Sequence, residues 1–203
     1  MKNVFLIIPL FAIFSCCSLD ETIKIGNYDN PQKALLVIDM QIDYINENGK
    51  FPIEKNQINS LIETVNNIIG DFHGNNYQII YVRIFFRKND VQNIFRNFAV
   101  IEGTAGAEID PRINIVSVSI FDKYTVSAFS NKKFEDFLIR NQINELYVCG
   151  VMADECVYET ALDALNSGYN VNYYANAVGS SSVKNIENAI EKLRNRGINI
   201  IEY

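Results

Sequence analysis

At 203 residues, 48% of them hydrophobic, the chain is long enough to bury one substantial core and too short for two full domains once a leader is set aside. A formal charge of -6, with no block of Lys or Arg, excludes the basic footprint on which nucleic-acid binding draws. A small molecule is the expected partner.

Lys2 is followed by the apolar run Val4-Phe5-Leu6-Ile7-Ile8-Pro9-Leu10-Phe11-Ala12-Ile13-Phe14 and then by Ser15-Cys16-Cys17, the make-up of an export leader. The run is shorter than the roughly 20 residues that span a bilayer. A small residue ahead of a cysteine resembles the cleavage box of bacterial lipoproteins. That resemblance implies a signal peptide at residues 1–15, lipidation of Cys16, and membrane attachment in the bacterial cell envelope, periplasmic or surface. Phe14 departs from the box, where a small residue is commoner, so ordinary cleavage and an uncleaved anchor stay open. Residues 16–32 carry Gly26, Asn27, Asp29, Asn30 and Pro31 and read as a flexible tether; the folded domain is expected over 33–203.

Ala34-Leu35-Leu36-Val37-Ile38 is a continuous apolar run ending in Asp39, the pattern of a strand buried on both faces of a parallel sheet. Ile58, Leu61, Ile62, Val65, Ile68 and Ile69 then recur at helical spacing, with Gly70 placed to end the helix. Gln78 to Phe86 and Val116 to Phe121 read as strands, and Phe134, Phe137 and Leu138 mark a helix beginning after Ser130. A strand at Leu146 to Cys149 precedes a helix that carries Val157, Ala161, Ala164 and Leu165 and ends at Gly168. Val171 to Tyr174, a helix with Ile186, Ala189, Ile190 and Leu193 stopped by Gly197, and Ile198 to Ile201 complete the alternation. Strands alternating with helices predict an α/β fold, a three-layer α/β/α arrangement around a six-stranded parallel sheet. Residues 87–115 break the rhythm, and a loop of that length in a compact domain tends to be functional or mobile.

Ligands of open parallel sheets bind outside the carboxyl ends of the strands. Asp39 closes the first predicted strand, Lys123 follows the third, and Cys156 falls in the first turn of the helix after the fourth. A thiol at a helix N-terminus beside an ammonium is expected to have a lowered pKa, so that acid, amine and thiol together make an activated nucleophile. Singly, Asp39 reads equally well as a cap, whereas Lys123 alone is most often a surface lysine and Cys156 alone more often a small buried hydrophobe than a nucleophile. Their coincidence at strand ends lifts the functional reading. Cys149 reads as core, and His73 as a surface loop residue. With Cys16 lipidated, three cysteines remain, an odd number that leaves at least one free thiol unless one pairs between chains. The absence of a CxxC and the single histidine exclude a thioredoxin-like pair and a Cys/His zinc site.

Four collinear segments resemble the isochorismatase-like cysteine hydrolases, a family related to the nicotinamidases. Val37-Ile38-Asp39-Met40-Gln41-Ile42-Asp43-Tyr44 is similar to its opening signature. Glu102-Gly103-Thr104-Ala105-Gly106-Ala107 resembles its Gly-Thr-Pro-Gly loop, with Ala105 in place of Pro. Lys123 to Phe129 resembles the segment of the catalytic lysine, and Cys149 to Ala164 the nucleophile motif. The resemblance implies sheet order 3-2-1-4-5-6, Asp39, Lys123 and Cys156 as catalytic residues, a cis peptide between Val151 and Met152, and an oxyanion hole from the amides of Met152 and Cys156. Gln41, Tyr44 and Arg87 are taken as substrate-binding candidates, and Arg83, Arg87 and Arg96 as sources of a carboxylate-binding group, although each arginine reads more readily as a solvated surface residue. The resemblance also implies assembly as a homo-oligomer. Nicotinamidases of the family hold a metal with histidines after the second strand; here Phe85-Phe86-Arg87-Lys88-Asn89-Asp90 has none, so neither a metal nor another cofactor is expected.

The expected activity is a metal-independent hydrolysis of a small amide or related substrate through a thioester. Isochorismatase or nicotinamidase activity, a catalytically silent envelope binding protein of the same fold, and thiol redox signalling are the alternatives.

Overall fold

The run Gln32–Ile38 forms β1, and its last five residues, from Ala34 on, are buried because sheet neighbours flank both sides and helices cover both faces. In the computed structural model, which describes residues 25 and 27–203, six strands form one parallel sheet in the order β3-β2-β1-β4-β5-β6. β2 is Gln78–Ile84, β3 Ile120–Lys123, β4 Ile143–Val151, β5 Asn170–Gly179 and β6 Asn199–Ile201. The leader, Cys16, Cys17 and most of the tether lie outside the described residues.

The helices are α1 (Ile42–Ile45), α2 (Lys55–Gly74), α3 (Lys132–Arg140), α4 (Cys156–Asn166) and α5 (Val183–Asn195). Right-handed crossovers put α2, which returns the chain from β1 to β2, on one face; α3, α4 and α5, which run the other way along the sheet, cover the opposite face. The strand order reverses beside β1 and β4, whose residues pair from Lys33–Glu145 to Ile38–Gly150. Gly150 sits there with φ +121, and a Cβ on it would collide with the Ile38 carbonyl, so only glycine lets the two central strands approach so closely where they end.

The boundaries of α2 and β3 differ most tellingly from the sequence reading. α2 continues through Gly70 to Gly74 because Phe72, beyond the expected stop, is itself buried against the core, while Gly70 faces open space and asks for no special backbone. His73 therefore stands in the last turn of that helix, exposed, rather than in a loop. The third strand begins four residues later, and ends two later, than its apolar alternation suggested: Val118 is 98% exposed, and the strand ends on a buried lysine.

Candidate active site

Asp39 leaves β1 with φ +52, a left-handed conformation uncommon outside glycine and asparagine, held by Asp39 N donating to Val82 O and Gln41 N donating to Asp39 O. Its carboxylate is thereby turned into the protein at the sheet's carboxyl edge. Lys123 ends β3, two strands away, a lateral separation of roughly 9 to 10 Å that only a long side chain bridges. Its Nζ donates to Asp39 Oδ2 at 2.8 Å, and both side chains are sealed, at 1% and 0% exposure. The other carboxylate oxygen, Oδ1, is buried with no hydrogen-bond partner among the described residues.

Cys156 is the first residue of α4 and is buried beside this pair. Ahead of it the Val151–Met152 peptide is cis. The turn is closed by Ala153 N donating to Gly179 O and by Glu155 N and Val157 N donating to Met152 O; none of these bonds uses the amides of Met152 or Cys156. Ala128 N donates to Thr160 Oγ1, tying the loop after Lys123 to α4 and fixing the lysine strand against the thiol helix.

The three groups shift one another's proton equilibria, as groups sharing one buried site must. Burial pushes the Asp39 carboxyl up, against the pull of Lys123 and of Cys156. Burial alone would depress Lys123, but Asp39 and Cys156 more than offset it and its ammonium is held above the usual range. The Cys156 thiol is pushed up by burial first and by the Asp39 charge second, with Lys123 opposing. This reverses the expectation of a lowered thiol: loss of water around the sulfur outweighs the helix terminus and the ammonium, so Cys156 rests as a neutral thiol.

The thiol opens on a cleft of about 590 Å³ walled by Tyr44, Phe51, Phe86, Phe95, Arg96, Tyr124 and Glu155, among others. Of the three substrate-binding candidates, Tyr44 is on the wall, its phenol raised well above the usual range by burial and then by the neighbouring acids. Gln41 is not. Its amide nitrogen donates to Ile84 O and Ala107 O, and its Oε1 accepts from Ile84 N, so a fully buried side chain has every bond committed to joining β1, β2 and the 105–107 turn. Arg87 lines a neighbouring concavity instead, because the chain turns outward after Phe86, and Arg83 is engaged by Asp122 and Glu108. Arg96 reaches the cleft, packed 3.7 Å over the Phe86 ring and bound to Asp90 and Gln92.

One residue the motif contains had no role assigned from sequence. Asp43 is buried and accepts from Lys50 N and Val100 N, and Gly106 packs so tightly against its carboxylate that a Cβ would collide with it. This clamp holds the long loop in place over the cleft.

The isochorismatase family model, described as the isochorismatase domain, matches residues 33–203. The chain belongs to the isochorismatase family. It is 29% identical over 161 residues to an isochorismatase family protein, PncA, of Bacillus subtilis, covering 73% of this chain and 87% of the relative. It is also 27% identical over 183 residues to a probable inactive nicotinamidase of Arabidopsis thaliana, covering 81% and 89%. Among solved structures, the pyrazinamidase of Pyrococcus horikoshii in complex with zinc superposes with a TM-score of 0.77 at 28% identity, over 85% of this chain and all of that one. The six-stranded order seen here is the architecture of these family members.

The zinc in that relative raises the question of whether this chain's residues suit a metal. They do not: the segment after β2 offers only Asp90, whose two oxygens are taken by Gln92 N and Arg96. The chain's single histidine lies on α2 just before β2 begins, at the far edge of the sheet from Cys156. Among the described residues no three His, Cys, Asp or Glu side chains converge as a ligand cluster.

Proposed function

We propose that this family hydrolase cleaves the C–N bond of a small amide through a thioester on Cys156, without a metal. The observation that carries the proposal is the buried Lys123–Asp39 pair with one carboxylate oxygen unpartnered beside a thiol at the floor of a cleft. Since burial keeps that thiol protonated, nucleophilic attack calls for a base at the moment of reaction. Asp39 Oδ1 takes the proton as the sulfur attacks the carbonyl carbon, and Lys123 holds the carboxylate in place and balances its charge. The amides of Met152 and Cys156, unused by the turn, donate to the oxyanion. Collapse of the tetrahedral adduct breaks the C–N bond, and the departing amine takes the proton back from Asp39. Water, deprotonated by the same carboxylate, then hydrolyses the thioester and restores the thiol.

Relatives described as pyrazinamidase and nicotinamidase support an amide as substrate class, and the aromatic walls suit a ring-sized ligand. The leader and Ser15-Cys16 support export and lipid anchoring in the envelope, and the resemblance to the family supports a homo-oligomer.

The test is a panel of small aromatic and aliphatic amides, with ammonia release measured and the intact protein mass recorded during turnover of a slow substrate. A mass increase equal to the acyl group, absent from Cys156→Ala, is expected, together with loss of turnover in that variant. Parent-like turnover by Cys156→Ala would overturn the mechanism. A catalytically silent binder would bind members of the panel and release no ammonia from any.

A further inference from the structure

Three charged side chains line the cleft, Asp90, Arg96 and Glu155, together with Cys156, behind which the Asp39–Lys123 pair is buried. Asp90 and Arg96 neutralise each other at 3.2 Å, and Lys123 neutralises Asp39 at 2.8 Å. Glu155 alone is unmatched. It has no ion pair and no side-chain hydrogen bond among the described residues, and although it occupies the residue before α4 its carboxylate does not cap that helix. Its side chain is exposed, and it lines the cleft one residue before the nucleophile. The surrounding atoms, followed by Asp154, raise its carboxyl, while Arg96 and Lys123 oppose them.

Two further polar groups on the wall are already occupied, while the hydroxyls of Tyr44 and Thr125, without hydrogen-bond partners among the described residues, are neutral and leave the charge of Glu155 unbalanced. The Tyr124 hydroxyl donates to Glu102, and the Gln92 amide oxygen accepts from Arg96. A carboxylate with no partner on the chain, set at the edge of an aromatic cleft, is complementary to a group that arrives with the ligand. A second negative charge brought close to it, with Arg96 already committed to Asp90, is repelled.

We propose that Glu155 is the specificity-determining residue of this site and selects amides that carry a cationic or strongly N–H-donating substituent, against anionic ones. This rests on the amide-hydrolase reading for the reacting group, but it concerns the other end of the ligand.

Binding separates the two. Isothermal titration into the Cys156→Ala protein uses three benzamides that differ only at the meta position: aminomethyl, ethyl and carboxylate. A charge-assisted contact predicts that the aminomethyl probe binds about tenfold to a hundredfold more tightly than the ethyl isostere, with the carboxylate weakest. Adding Glu155→Gln is expected to shrink the aminomethyl-to-ethyl ratio to about threefold or less. Adding Glu155→Lys, an alternative change at the same exposed position, is expected to move the carboxylate probe to the top of the order. Equal binding of all three probes, or a ratio that survives Glu155→Gln, overturns the proposal. If the probe ranking appears but the unmodified protein hydrolyses no amide, the hydrolase reading fails and the assignment of Glu155 stands; if amides are hydrolysed without the ranking, the hydrolase reading stands and the assignment of Glu155 fails.

Discussion

Two cysteines lie seven positions apart on either side of the β4–α4 turn, both buried and both unpaired with another cysteine, yet their surroundings differ in kind. Cys149 is within β4, fully sealed, with its sulfur 3.5 Å from Leu36 O, and burial is the sole cause raising its thiol. Cys156 is raised by burial too, but a carboxylate and an ammonium also act on it and a cleft opens beside it. Burial alone makes a thiol inert; burial next to a charge pair with a spare acceptor makes one whose proton has somewhere to go. The difference lies in what the end of a strand can gather that its middle cannot.

The sharpest way to break this contrast is to disable the acceptor. Asp39→Asn keeps the side-chain shape and suits the left-handed backbone, but it cannot take the proton and leaves the Lys123 charge buried without its counter-ion. Turnover of whichever amide the panel identifies is expected to fall about 10²- to 10⁴-fold, and denaturant unfolding to show a loss of about 3 to 5 kcal/mol. A stable, active Asp39→Asn protein would remove the basis for treating the two thiols differently.

A smaller effect is expected from Gly150→Ala, which sets a methyl group against the Ile38 carbonyl at a positive φ. The strain is expected to cost about 1 to 3 kcal/mol, read as a lower denaturation midpoint. Because β4 and β1 end there, turnover is expected to drop more than the stability loss alone predicts.

The smallest effect is a slope. Both thiols are held protonated in the folded protein above the point, about pH 8.5, where an unfolded cysteine ionises. Above that pH the unfolded state binds fewer protons than the native one, so stability present at neutral pH is lost as pH rises, by at most about 1.4 kcal/mol per pH unit for each thiol. Cys149→Ala and Cys156→Ala are each expected to flatten the alkaline decline, measured as unfolding free energy between pH 8 and pH 10. The flattening by Cys149→Ala is expected without loss of turnover.

The sheet was legible because burial on both faces writes itself as uninterrupted apolar runs, as in residues 34–38. Strand order came from the resemblance of the motifs, which periodicity alone does not supply. β3 was misplaced since its one inward anchor at the carboxyl end is a lysine, and a lysine in a sequence carries no mark of being buried. The same blindness to depth inverted the expected direction for Cys156: a helix terminus and an ammonium can be read from residue order, whereas the thickness of protein over a sulfur cannot. Gln41 illustrates the converse, a polar residue in a catalytic signature that serves the backbone. The cleft walls Phe51, Phe95 and Tyr124 come from segments distant in the chain, brought together by the Asp43 clamp on the long loop and by bonds such as Asn97 to Lys50 and Tyr124 to Glu102, none of which periodicity announces.

β1 enters the fold at the edge of the sheet opposite the one where Asp39 leaves it, and its 7 residues set those edges roughly 23 Å apart. Anything joined to the chain ahead of Gln32 therefore pulls on the domain from its rear. Immobilised on a bead, vesicle or sensor surface through that segment, the protein would present its opening outward, to whatever diffuses past.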